Sequence, residues 1–320
     1  MNQNVYKKMK KISILTPTYN EVENIKDLYE SIKKEMLKLD YDYEHIVIDN
    51  ASNDGTAEIL KKLCDDDKKL KVILNNKNYG HLNSPFYGIL QTNGDATIYI
   101  NSDFQDPPEL IPEYLKLWEQ GSKVVLGQKN KSDENFIIQF LRGLYYKVLS
   151  NISASDLTLN TTGSGLFDNS VIQNLKRIDD PIPYLRGLIS EIEGDIKLLK
   201  FDQPKRKSGR SKNNLFTLFD LAMIGIVKHS KFPLRLMVLT GFIISSISIL
   251  VSVIFFFYKL LFWNSFNLGI APMVIGLFFF SGFQIFLLGL VGEYISVILT
   301  HVRKLPLVIE KERINFEDKN

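Results

Sequence analysis

Two apolar patterns divide the chain. From residue 12 to about residue 200, short strand-like runs alternate with helix-like stretches. The runs are Ile12–Thr16, His45–Asp49, Lys71–Leu74, Thr97–Asn101 and Lys123–Leu126. After the first run, Val22, Ile25, Leu28, Ile32 and Met36 recur at helical spacing. Asn20 precedes them with Glu23 three residues on, a capping-box spacing that predicts Asn20 as the helix cap. Alternation of this kind predicts an α/β domain with a mainly parallel sheet and helices on both faces.

The second pattern is continuous. Leu236 to Tyr258 contains no charged residue, and after Lys259 none follows until Glu293. Trp263-Asn264-Ser265-Phe266-Asn267 interrupts the later stretch and reads as an interfacial turn. Each flank is long enough to cross roughly 30 Å of hydrocarbon at about 1.5 Å per helical residue. Lys228, Lys231 and Arg235 precede the first span, and Arg303 and Lys304 follow the second. The connecting turn carries only Lys259, so the positive-inside rule places both ends of the hairpin in the cytoplasm. The expected organisation is a soluble domain over 1–200, a basic juxtamembrane segment over 201–235, a two-helix hairpin over 236–300 and a cytoplasmic tail over 301–320. Glu293 is expected near the cytoplasmic end of the second helix.

Composition adds little to this picture. An apolar content of 45% and a formal charge of +3 are ordinary averages that hide the segregation. Cys64 is the single cysteine, which excludes an internal disulfide, and its place at the end of a helical pattern suits a buried thiol. The basic start is followed by an apolar run too short for a secretory signal, so no such signal is expected.

Candidate chemistry falls at the C-terminal ends of the predicted strands, where open α/β sheets bind ligands. Thr16-Pro17-Thr18-Tyr19-Asn20-Glu21 follows the first strand and Asp49-Asn50-Ala51-Ser52-Asn53-Asp54-Gly55 the second. Asn101-Ser102-Asp103-Phe104-Gln105-Asp106 follows the fourth. No G-x-G-x-x-G fingerprint or Walker loop is present, which argues against dinucleotide and P-loop chemistry.

The order of P-T-Y-N-E, I-D-N-A-S-N-D-G-T and N-S-D-F-Q-D-P-P-E-L-I resembles the family 2 glycosyltransferases of GT-A, Rossmann-like fold. The run Q-D-P-P-E-L-I and the hairpin narrow the resemblance to the polyprenyl-phosphate glycosyltransferases, from Ile12 to about Arg303. That resemblance implies a nucleotide site made by Pro17, Tyr19, Asn20, Glu21, Asp49 and Asn50, with Asp49 accepting a ring N–H of the base. It implies Mg²⁺ or Mn²⁺ at Asn101, Asp103 and Asp106, with Asp103 also catalytic. Two positions depart from the family pattern. Asn50 replaces a usual aspartate, and Asn101 replaces the first carboxylate of D-x-D. Thr162-Gly163-Ser164-Gly165-Leu166-Phe167-Asp168 is similar to the family's S-G-F-x-L-Y-D stretch, with Ser164 in place of Phe. His81 is expected to pack or to line substrate, and Glu191 and Glu193 lie in a region that could approach the sugar.

From Lys200 to Arg235 the sequence has nine Lys or Arg against two Asp. Within it, Arg206, Gly209, Ser211 and Lys212 match the family's R-x-x-G-x-S-K motif. The resemblance implies that Arg206, Arg210, Ser211 and Lys212 hold the acceptor phosphate, with Arg206 and Lys212 catalytic. The expected function is inverting transfer of a sugar from a UDP- or GDP-linked donor to a polyprenyl phosphate on the cytoplasmic leaflet. The expected location is the cytoplasmic membrane, with the catalytic domain and both termini inside. A nucleic-acid partner is not expected, and a homo-oligomer is compatible with the sequence. Transfer to a glycan hydroxyl, and a non-catalytic nucleotide-binding scaffold, are the alternatives.

Overall fold

A computed structural model describes residues 9–130, 161–204, 232–262 and 270–316. The chain divides into a sheet unit and a helical unit.

The sheet unit runs β1 (Lys11–Thr18), α1 (Ile25–Met36), β2 (Asp42–Asp49), α2 (Thr56–Asp66), β3 (Leu70–Asn75), α3 (Gly80–Leu90) and β4 (Ala96–Tyr99). A short 3₁₀ turn (Pro108–Leu110) leads into α4 (Ile111–Glu119) and β5 (Val124–Lys129). Then come β6 (Thr161–Asp168), α5 (Asn169–Lys176), α6 (Leu185–Ile192) and β7 (Ile196–Phe201). The helical unit holds α7 (Phe232–Leu261) and α8 (Ile270–Arg303), after which β8 (Glu310–Ile314) rejoins the sheet.

The sheet order is β7-β5-β6-β4-β1-β2-β3-β8. β1 pairs in parallel with β2 and β4, and β2 with β3, so the first four strands end on one edge. β6 is antiparallel to both β4 and β5, while β7 is parallel to β5. The sheet is therefore parallel around β1 and mixed toward both edges.

Alternate residues of the central strands pack on opposite faces, as the two-residue strand period requires. Ile12 and Ile14 meet Leu28, Ile32 and Met36 of α1 and Tyr114 and Leu115 of α4. Leu15, Ile46 and Ile48 meet Phe86 and Ile89 of α3 and Val171 and Ile172 of α5. Val47 and Val72 pack with Leu60 and Cys64 of α2. Cys64 is fully buried, and burial pushes its thiol up to about 12, so it is an inert core group.

Two features differ from the expectation. Helix α1 starts at Ile25 with Asn24 at its cap position, so Asn20 does not cap it. Asn20 instead has φ +55°, and its side-chain oxygen accepts the Asn53 N–H at 2.9 Å. A conflicting tertiary bond has overridden the local capping signal. The segment 301–320, expected as a tail, supplies β8, which pairs antiparallel with β3. His81 is exposed on the first turn of α3.

β8 is fixed by side chains as well as by pairing. Tyr87 donates to Glu310 at 2.8 Å, and Arg313 donates to Gln91 at 2.9 Å. Asn315, at φ +61°, donates to the carbonyls of Cys64 and Leu70. These bonds explain how a polar, charged pentapeptide with no hydrophobic alternation forms a strand.

Helices α7 and α8 contain two segments long and apolar enough to cross a membrane, Pro233–Tyr258 and Phe279–Arg303. Within them Phe242, Ile249, Phe257, Phe279, Phe286 and Leu288 are exposed, as suits a face whose solvent is lipid.

Candidate active site

The loops after β1, β2 and β4 share one edge of the sheet, because those strands run parallel in adjacent positions. Each loop carries one non-glycine residue in left-handed backbone: Asn20 at φ +55°, Ala51 at +63° and Phe104 at +59°. Such backbone is costly for residues with a Cβ and persists where surrounding bonds enforce it.

Those bonds are visible for the first two loops. The Asn20 N–H donates to Ser52 Oγ at 2.8 Å, Glu21 N–H to Thr56 Oγ1 at 3.1 Å and Val22 N–H to Asp54 at 3.1 Å. Asp49 sits at the end of β2 and is buried. It accepts the Ser52 N–H at 3.0 Å and the Ser52 hydroxyl. Burial pushes the Asp49 carboxyl above the ordinary aspartate value, against the opposing pull of the Ser52 bonds. Pro17, Tyr19 and Asn20 are half-buried, and Pro17 and Thr18 stand opposite Ile48 and Asp49 in the parallel register, so this loop pair brings a carboxylate and an aromatic residue to one strand edge.

Glu21 and Asn50 have different surroundings. Glu21 is buried and accepts from the Asn24 amide at 2.6 Å. Asn50 is a hub. Its Nδ2 donates to Asn78 Oδ1 at 2.9 Å and to the Gly80 carbonyl at 3.1 Å. Its Oδ1 accepts from Asn75 Nδ2 at 3.1 Å and from the Tyr79 N–H at 2.9 Å. All four hydrogen-bonding positions of the amide are thereby on protein partners, which organise the β3–α3 loop. The geometry explains the departure from aspartate, since a carboxylate has no N–H to donate to Asn78 or Gly80.

The β4 loop is built around Asp106, which is buried at 3% exposure. One oxygen accepts the Ser164 hydroxyl at 2.6 Å, and the other accepts Asn101 Nδ2 at 2.7 Å. Asp106 thus orients Asn101, and the amide nitrogen of Asn101 is the end turned inward. Asp103 is half-buried and accepts the Gln105 N–H at 3.1 Å. Among the described residues no group of three His, Cys, Asp or Glu could hold a metal by itself. The donor set that fits is Asp103 with the Asn101 carbonyl oxygen. One carboxylate and one neutral oxygen suit Mg²⁺ or Mn²⁺ completed by a ligand's phosphates, rather than a closed protein cage.

Ser164 was visible in the sequence only as a departure from Phe, and its bond to Asp106 gives the departure a cause. Asp168, the last residue of the same motif, accepts from Ser170 N–H at 2.8 Å and caps α5. It also accepts the Trp118 indole N–H at 2.8 Å. Ser52 and Thr56 were missed as site residues because turn hydroxyls are common. The signal that could have found them is their spacing from Asp49 and Asp54. Glu191 is exposed on α6, and Glu193 stands 4.0 Å from Lys123. Arg206, Arg210, Ser211 and Lys212 lie outside the described residues.

Comparison with known proteins agrees with this geometry. The family model for glycosyl transferase family 2 matches residues 13–175. The uncharacterized glycosyltransferase YkcC of Bacillus subtilis (strain 168) is 30% identical over 308 residues, covering 96% of this chain and 95% of that protein. The bactoprenol glucosyl transferase of Shigella phage SfX is 30% identical over 305 residues, covering 95% and 99%. Among solved structures, glucosyl-3-phosphoglycerate synthase from Mycobacterium tuberculosis, in complex with Mn²⁺, UDP and phosphoglyceric acid, aligns with a TM-score of 0.51. Its identity is 18%, with 68% of this chain and 76% of that chain covered, so the likeness is one of fold. With β1 through β6 in the GT-A arrangement and its loops gathered at one strand edge, the chain belongs to glycosyl transferase family 2 and is a glycosyltransferase.

Proposed function

We propose that this glycosyltransferase moves a sugar from a nucleotide sugar to a polyprenyl phosphate at the cytoplasmic face of the membrane. The observation that carries the reading is the end-to-end match to a bactoprenol glucosyl transferase, which extends beyond the catalytic domain through both apolar helices. Asp49 and the loop of Pro17, Tyr19 and Asn20 receive the nucleotide. Glu21 and Asn50 act one step back, holding those loops in shape. Asp103 and the Asn101 carbonyl would hold a divalent ion, which supplies neutralisation of diphosphate charge when bound. Asp106 accepts the Asn101 amide N–H and so fixes the orientation of that amide.

The acceptor chemistry agrees with this inventory. A phosphate monoester has a second pKa of about 6, by analogy with phosphoserine, and is largely dianionic at neutral pH. It attacks C1 without a protein base, so positioning and charge neutralisation carry the reaction. Arg206, Arg210, Ser211 and Lys212 supply that neutralisation on the acceptor side. Lys and Arg on both flanks of the hairpin support a cytoplasmic placement for the catalytic domain and both termini.

The test uses membranes carrying the full chain, a panel of labelled UDP- and GDP-sugars and a polyprenyl phosphate. One donor should give a labelled product extractable into organic solvent, and Asp103→Ala should abolish it. Absence of lipid product with every donor would overturn the reading.

A further inference from the structure

The β4 loop brings less charge to a ligand than its three polar members suggest. Asp106 has both oxygens on Ser164 and Asn101 and is buried, and Asn101 is neutral. A divalent ion held there would meet Asp103 as its carboxylate, since both oxygens of Asp106 are engaged. A departing diphosphate gathers negative charge, and that charge needs partners beyond the ion.

Strand β6 brings a cation to the same edge. Its antiparallel register pairs Ala96 with Asp168 and Tyr99 with Gly165. One residue further along β6, Ser164 donates its hydroxyl to Asp106 of the β4 loop at 2.6 Å. Gly163 has φ +87°, and the Arg186 side chain from the first turn of α6 lies against it. A Cβ at Gly163 would stand 3.2 Å from Arg186 Nε and 3.3 Å from Nη2. Glycine therefore serves twice here: the backbone turn disfavours a side chain, and the guanidinium occupies the space beside it. Gly163 adjoins Ser164, whose hydroxyl bonds Asp106, so the guanidinium lies beside the β4 loop.

We propose that Arg186 is a ligand for the donor's diphosphate, complementing a metal loop that carries one carboxylate fewer than its family pattern. The proposal rests on the nucleotide-sugar reading above. In transfer, the bond from C1 to the diphosphate oxygen breaks as an acceptor oxygen bonds to C1. The electron pair stays on the diphosphate, where the planar guanidinium donates two N–H groups to its oxygens.

The experiment is calorimetric titration of the detergent-solubilised full chain with UDP, GDP, UMP and GMP, with and without Mn²⁺. For the nucleotide that binds, Arg186→Gln should weaken the diphosphate about tenfold to a hundredfold, the scale of one charged hydrogen-bond pair. Its monophosphate should weaken by less than about threefold, since a charge on the outer phosphate is what the guanidinium meets. Arg186→Lys should fall between, keeping charge without the fork. Gly163→Ala should mimic Arg186→Gln if the guanidinium is displaced, and unchanged thermal unfolding of Arg186→Gln excludes a folding defect. Equal loss of mono- and diphosphate, or no loss of either, overturns the role of Arg186. Failure of the wild-type chain to bind any of these nucleotides overturns the nucleotide site itself.

Discussion

Replacing Asn50 by aspartate restores the residue type that the family pattern expects, yet the structure predicts damage. The carboxylate keeps the two bonds it can accept, from Asn75 and from the Tyr79 N–H. It loses both donated bonds, and its second oxygen then faces Asn78 Oδ1 and the Gly80 carbonyl at about the 2.9 and 3.1 Å that the amide spans now. Reversing the Asn78 amide does not repair this, because Asn78 Oδ1 also accepts the Gly80 N–H at 2.8 Å. Two neutral hydrogen bonds at about 1 kcal/mol each give a loss of about 2 kcal/mol. The exposure of Asn78 and Gly80 admits water and keeps the cost from rising further. A second carboxylate next to buried Asp49 adds to it. For a domain of this size that lowers the melting temperature by roughly 4–8 °C. Differential scanning fluorimetry of the solubilised full chain measures it. An Asn50→Asp chain as stable as the wild type would refute the hub assignment and return Asn50 to the ligand side.

Other outcomes follow from the same structure. Glu44 is buried with Lys11 and Lys71 each at 2.8 Å and Ser13 at 2.6 Å. Burial raises its carboxyl, but these partners outweigh burial and hold it at about 2, against an ordinary 4.5. A depressed carboxyl contributes stability above its unfolded value and loses it as pH falls from about 4.5 toward about 2. The shift corresponds to about 3 kcal/mol, reduced to about 2 kcal/mol by the partial exposure of the lysines. Glu44→Gln should therefore destabilise at pH 7 and lose its effect near pH 2, followed by fluorescence-detected unfolding. Asp49 shifts the other way, so nucleotide affinity should fall on acidification at a higher pH than an ordinary aspartate would give. Titration of nucleotide binding against pH checks this, and a flat profile through the acidic range contradicts it. Removing residues 305–320 should uncover the β3 edge, leave Tyr87 and Gln91 without their β8 partners and cause aggregation on size exclusion.

The parallel centre of the sheet was legible because β1 to β4 are apolar runs buried on both faces and separated by helical periodicity. The two long apolar helices were legible because Leu236 to Tyr258 and the run before Glu293 are uncharged over lengths that can cross a membrane. β8 was not, since Glu310-Lys311-Glu312-Arg313-Ile314 has the look of a solvated tail and becomes a strand through bonds to α2 and α3. In the site, motif order located the three loops but did not distinguish ligand contacts from supports. Asn50 and Asp106 carry the polarity expected of ligand contacts and are held by protein partners. Asn20 illustrates the same limit, because it has the spacing of a cap in the sequence while its side chain accepts from Asn53 instead. Arg186 was invisible because an arginine at the start of an amphipathic helix is ordinary, and only the left-handed Gly163 beneath it makes it stand out.

The central claim is the identity of the acceptor. Purified full-length chain should be given its preferred nucleotide sugar with either polyprenyl phosphate or the unphosphorylated polyprenol, and the lipid fraction read by mass spectrometry. The account predicts one sugar added to the phosphate-bearing lipid and none to the alcohol. Equal transfer to the polyprenol, or product only when a glycan hydroxyl is supplied, would contradict it.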